Sequence, residues 1–245
     1  MGATKRIFKF QNHGLKKSIL GFWSVILVIN ILTYILMVNF NSKIKIGLFS
    51  SKDDIFSIVG GNIMPIFIFF IVYGIVMYHE DFALALSFGV TRKDFYKSVI
   101  VNNIIVTLSF AAIQVILQII DKYFIASLGY KPMVEFGIFN TSTDNILFIV
   151  LTLSLLFLTF VSVTNLIGVL QYRFGYKFWI GFGITVIILQ ILGNFSAKKI
   201  LGFSDMYQWL WSRFNSSTTI FLTFFIAIVC YTLGYFLIRK SNIRK

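Results

Sequence analysis

Six stretches of this chain run without a single Asp, Glu, Lys or Arg: 18–40, 55–78, 98–120, 146–170, 178–192 and 218–238. A helix needs about 20 apolar residues to cross the ~30 Å hydrocarbon core of a bilayer, and all but the fifth run reach that length. The runs are apolar on every side rather than alternating, so they read as helices and not as strands of a barrel. Only 13% of the 245 residues are charged while 58% are hydrophobic, too little charge to cover a soluble domain of this size. The expectation is an all-α integral membrane protein with six transmembrane helices in a single transmembrane domain, 1–245.

The remaining charge sets the orientation. With the N-terminus inside, the segments 1–17, 79–97, 171–177 and 239–245 hold 14 Lys and Arg over 50 positions. The outer segments 41–54, 121–145 and 193–217 hold 8 over 64. Positive charge collects on the cytoplasmic side of membrane proteins, so both termini of a multi-pass cell-membrane protein are expected in the cytoplasm. The net charge of +13 is then a topological signal spread between apolar runs, not a basic face, and nucleic acid is not an expected partner. The run after the basic start is too long for the core of a cleaved leader, so the N-terminus is expected to be retained. Its residues Ile7, Phe8 and Leu15, among Lys5, Arg6, Lys9, Lys16 and Lys17, suit an interfacial helix on anionic lipid. Cys230 lies alone in an apolar run, which points to packing rather than thiol chemistry.

Pro65 is expected to kink the second span and free a carbonyl near its outer end. The fifth run would rise only about 22 Å as a helix, so a short or broken span is expected there. The stretch after it, 197–214, holds Tyr207, Trp209 and Trp211 and is expected to lie on or re-enter the outer leaflet. Inside the spans, Asn30, Asn102, Asn103, Gln114, Gln118, Asn165 and Gln190 are polar without charge, residues that bond neighbouring helices. With no charged or His side chain in a span as drawn, no catalytic residue, metal site or coupling-ion site is expected. The chain also lacks a G-x-x-x-x-G-K-[ST] loop, so any uphill work needs an engine on another chain.

The segment 79–97 reads HEDFALALSFGVTRKDFYK. Phe82, Ala85, Leu86 and Gly89 recur at i, i+3, i+4 and i+7, the stripe of a short amphipathic helix. Gly89 suits the stop of that helix, and Thr91 with Asp94 suits the cap of the next. The product is either an ordinary connector or a compact cytoplasmic knob.

Glu80 closing the second span, the corner Gly89-Val90-Thr91-Arg92 and the following Phe95 resemble the coupling-helix region of ABC-2 type transporter permeases. The layout is similar too: a cationic amphipathic start, six spans, short outer loops and a re-entrant stretch before the last span. The chain looks most like the small permeases of low-GC Gram-positive bacteria that export antimicrobial or amphipathic peptides, including phenol-soluble modulins. That resemblance implies a permease subunit that pairs with a second permease chain and docks on cytoplasmic ABC ATPase subunits. ATP and Mg would belong to those subunits, with no cofactor in this chain, and the cargo would be a hydrophobic or amphipathic molecule such as a peptide. The coupling residues it implies are Glu80, Phe82, Leu86, Phe88, Gly89 and Arg92, with Glu80 paired to Arg92 or to a base on the ATPase. A rival expectation is a non-transporting immunity or sensor protein that binds a toxic peptide in the membrane and needs no ATPase.

Overall fold

The computed structural model describes residues 3–39, 55–197 and 216–239, excluding the side chains of 3–10, 13, 80, 189–190, 192–197 and 216–217. Helix α1 runs from Ala3 to Asn39 without a break. Its 37 residues rise about 55 Å, more than a bilayer needs. The basic N-terminal stretch is therefore the first part of the same rod rather than a separate helix. A 3₁₀ turn, Val59–Asn62, leads into α2, Ile63–Val76, and a π turn, Met77–Asp81, joins α2 to α3, Phe82–Ser87. Pro65 falls in the first turn of α2, where its missing N–H leaves no intrahelical bond unmade. The irregular backbone of this span lies before the proline, in the 3₁₀ turn Val59–Asn62.

Helix α4 spans Arg92–Ser127, α5 Ile146–Phe174, α6 Tyr176–Ala197 and α7 Ser216–Arg239. Gly175, at φ 63, alone separates α5 from α6, so the connection expected over 171–177 is nearly all helix. Among the described residues five helical stretches are long and apolar enough to cross a membrane: Gly14–Asn39, Val59–Ser87, Arg92–Ser127, Ile146–Phe174 and Thr218–Arg239. In α6 the apolar stretch Tyr176–Ile188 is shorter than these. The chain is accordingly an all-α, membrane-embedded protein. The segment expected to re-enter the membrane, 197–214, falls beyond Ala197 outside the described residues.

Helix α4 forms the axis of the bundle, and its packing keeps a constant register. Gln11 meets Ser98, Trp23 meets Phe110 and Tyr34 meets Asp121, each pair 87 positions apart, so α1 and α4 run parallel. Helix α2 runs the other way, with Tyr73 on Asn103 and Phe70 on Phe110. Helix α5 is also antiparallel to α4: Phe70 touches both Phe110 and Phe157, while Phe82 touches both Phe95 and Tyr172. That register puts Asn102 of α4 level with Asn165 of α5. Helices α2 and α5 meet closely at two glycines; a Cβ built on Gly168 would stand 2.5 Å from the Gly74 carbonyl oxygen. Small residues at a crossing are what let backbones approach in a membrane, where packing rather than water exclusion drives association.

The far end of α4 is closed by chain. Gly129, at φ 78, ends the helix, its N–H donating to the Ala126 carbonyl at 3.0 Å and that of Tyr130 to Ile125 at 3.3 Å. Lys131–Pro132 (β2) then pairs in parallel with Ile55–Phe56 (β1). A turn at Gly137 brings Phe136 N–H to the Phe139 carbonyl, and Asn145 caps α5 by accepting the Leu147 N–H at 3.0 Å.

Candidate functional site

At the near end of α4, four residues make the corner to α3. Gly89 takes φ 73, its N–H donates to the Leu86 carbonyl at 3.0 Å, and the Val90 N–H donates to Ala85 at 3.2 Å. This two-bond closure needs the left-handed backbone that glycine accepts without strain. Thr91 is extended and accepts the Asp94 N–H at 3.1 Å, while its hydroxyl donates to Asp94 Oδ2 at 2.7 Å. Both helix ends are thus satisfied by local chemistry, and the corner is stiff.

The segment 79–97 is mostly helix, with the short helix, glycine stop and Thr91 cap where they were expected. The π turn widens the helix without breaking it, and the apolar stripe of α3 faces the molecule's own core. Phe82 is 1% exposed, its ring 5.0 Å from both Phe95 and Tyr172, so it is not free to enter a partner's groove. Leu86 is half-buried against the same core. Arg92 donates from Nη1 to the Arg239 carbonyl at 2.9 Å, closing the end of α7. Glu80 lies within the π turn, and its side chain is outside the described residues. Of the six predicted coupling residues, Phe88, 73% exposed, and Gly89 beside it are those the corner presents outward.

Two buried polar layers lie further along α4, on one stripe that steps by three and four: Asn103, Thr107, Phe110, Gln114, Gln118, Asp121 and Ile125. The near layer is neutral. The Tyr73 hydroxyl donates to Asn103 Oδ1 at 2.9 Å, Asn103 Nδ2 donates to the Tyr231 hydroxyl at 2.9 Å, and the Tyr96 hydroxyl donates to the Tyr231 carbonyl at 2.6 Å. These bonds tie α2, α4 and α7 together. Asn102, level with them, has no partner for either amide atom.

The far layer is charged. Asp121 is 2% exposed; its carboxylate accepts from the Tyr34 hydroxyl at 2.5 Å and from the Ser57 hydroxyl at 2.6 Å. Ser57 Oγ in turn accepts the Gly60 N–H at 2.8 Å, and Gln114 Nε2 donates to the Val59 carbonyl at 2.9 Å. Between the layers sits a plug of aromatic rings, with Phe110 within 5.0 to 5.5 Å of Phe22, Trp23, Phe69 and Phe70. By helical rise the ring of Phe110 lies about 10 Å along α4 from Asn103 and about 16 Å from Asp121.

The buried amides Asn30, Asn102, Asn103, Gln114, Gln118 and Asn165 all fall on inward faces, as their positions in the spans imply. Asp121, expected as the first residue of an outer loop, also faces inward: α4 continues through it to Ser127 and buries it. Its signal was its place on the stripe, three residues after Gln118 and seven after Gln114. The run 98–120 holds no charge, as drawn, but the helix that contains it carries a buried one just beyond. Among the described residues no three His, Cys, Asp or Glu side chains come together.

A third feature lies beside the near layer. A groove of about 520 Å³ runs between α1 and α2, with Leu15, Phe69, Val72 and Val76 on its walls and Gln11 and Asp81 at its polar edge. No protein-family model, curated protein or solved structure matches the chain.

Proposed function

We propose that this chain is the membrane-spanning subunit of an ATP-driven exporter of the ABC-2 type, whose energy comes from separate cytoplasmic ATPase subunits. The observation that carries the reading is the Phe88–Thr91 corner: an exposed aromatic on a stiff turn between two helices whose other residues build the core. A push on that corner moves α3 and α4 as one body, because Phe82 and Phe95 lock them together and the Arg92–Arg239 bond adds α7. Rigid-body rocking of packed helices is how such a displacement reaches a distant site. The near end of α4 would face the cytoplasm, with both termini on the same side, in the cell membrane.

The groove between α1 and α2 suits the cargo class. Its volume lies in the range of small-molecule sites, and its apolar walls with a polar edge fit a hydrophobic or amphipathic molecule such as a peptide. A second permease chain would complete the pathway.

The test is co-purification. The tagged chain, extracted from its native membrane, should bring down an ATPase carrying a phosphate loop, and Phe88→Asp should release it without lowering the yield of the tagged chain. Recovery of the chain free of any ATPase, from membranes where it is fully functional, would favour the sequestering role and end the exporter reading.

A further inference from the structure

The far polar layer is built around a carboxylate whose bonding partners among the described residues carry no charge. Asp121 accepts a hydroxyl proton on each of its carboxylate oxygens, the pattern of an ionised, acceptor-only group. Both partners, Tyr34 and Ser57, are neutral. The adjacent base Lys122 turns elsewhere, donating to the Thr141 carbonyl at 3.4 Å and lying over the Tyr123 ring. A buried carboxylate is tolerated when a counter-charge or a full set of bonds compensates the lost water.

Around it the structure supplies ligating groups with nothing to bind. Gln118, 3% exposed and one turn below Asp121 on the same stripe, has no partner for either amide atom. Gln114, another turn below, is fully buried; its Nε2 is used on Val59, and its Oε1 has no partner. Buried polar groups are almost always bonded, so the orphan carbonyl oxygens of Gln118 and Gln114, on the stripe that carries the buried carboxylate, mark a ligand position.

The charge count selects the ligand. One carboxylate with neutral hydroxyl and amide oxygens is balanced by a single positive charge. Divalent sites gather several carboxylates, and a divalent ion here would leave a buried positive excess. Irregular backbone entering a span, as the 3₁₀ turn Val59–Asn62 does here, is also where membrane proteins coordinate sodium. The near layer has an orphan amide but no charge, so it has no need of an ion. We propose that Tyr34, Ser57, Gln114, Gln118 and Asp121 form a buried site for a dehydrated alkali cation, for which sodium is the probe. This site is independent of the ATPase-coupled reading and stands or falls separately.

The purified full-length chain is heated in saturating sodium chloride and in choline chloride of equal ionic strength, with lithium, potassium and calcium chlorides as comparators. Sodium, or another alkali ion, should raise the apparent unfolding temperature by about 5 °C or more over choline, saturably. Asp121→Asn and Gln118→Leu should each lose most of that increment while remaining monodisperse. Equal unfolding temperatures of the unaltered chain in alkali and choline salts would overturn the site, whatever the variants do. A rise specific to calcium would overturn the charge count, and a full sodium increment in Asp121→Asn would overturn the placement.

Discussion

The two polar layers on α4 solve the same problem in opposite ways. The near layer closes a neutral chain from Tyr73 through Asn103 to Tyr231, so each bond is an exchange between uncharged groups on three helices. The far layer concentrates its bonds on one carboxylate, with Ser57 handing on the connection to the 3₁₀ turn. Neutral bonds contribute about 0.5–1.5 kcal/mol each and charged ones about 1.5–3 kcal/mol. A neutral layer can therefore give way when the helices shift, whereas the charged one is fixed as long as its charge is compensated. The near layer lies beside the groove and toward the exposed corner; the far layer lies under the ordered segment 128–145. The contrast assigns the weaker ties to the near end and the stronger ones to the far end.

Overfilling the crossing beside the near layer is expected to have the largest effect. Gly168→Leu would drive a side chain into the Gly74 carbonyl and the Tyr78 ring, at 2.5 and 2.9 Å from the new Cβ. Backbone cannot move aside as a flexible side-chain tip can, so a loss of about 3 kcal/mol or more is expected. It would be read as a lower unfolding temperature and a smaller monodisperse fraction in detergent. A variant as stable as the parent chain would show that the near layer does not depend on that close approach.

A pair of hydroxyl deletions sharpens the contrast directly. Tyr34→Phe removes a donor to the Asp121 carboxylate, and Tyr231→Phe removes the acceptor of a neutral amide bond. The first should destabilise by about 1.5–3 kcal/mol and the second by about 0.5–1.5 kcal/mol. Equal losses in the two variants would remove the distinction between a charged and a neutral layer.

Much of this arrangement was legible in the sequence, and the misreadings share a cause. Five of the six uncharged runs coincide with helices long and apolar enough to cross a membrane, and the polar amides within them marked both layers. Gly89 and Thr91 announced the corner that the structure builds from them. What failed was the assumption that a helix stops where hydrophobicity stops. Helix α4 carries on to Ser127, because its buried stripe, not its average hydropathy, determines where packing continues, and Asp121 was hidden by that rule. The apolar stripe of α3 was visible but its direction was not. Periodicity shows that a face is buried and leaves open whether the molecule or a partner covers it; the Tyr172 ring on α5 covers Phe82. The Arg92 bond to the last carbonyls of α7 joins residues 147 positions apart, which no local pattern contains.

The smallest effect on stability is expected at the corner, where it discriminates most about function. Phe88 and Tyr123 are exposed aromatics near opposite ends of α4, at 73% and 68%. Truncating either to alanine removes little buried surface, so each should change stability by no more than about 0.5 kcal/mol. Their consequences for coupling should differ, because only Phe88 stands on the corner proposed to dock with the ATPase. Phe88→Ala should reduce cargo-stimulated ATP hydrolysis about tenfold, equivalent to roughly 1.4 kcal/mol of coupling, while Tyr123→Ala leaves it unchanged. Measuring both variants in the same membranes, at matched expression, separates docking from general loss of an exposed aromatic. Equal activity in the two would leave the near end of α4 with no claim to be the moving end, and the asymmetry between the layers would then be one of stability alone.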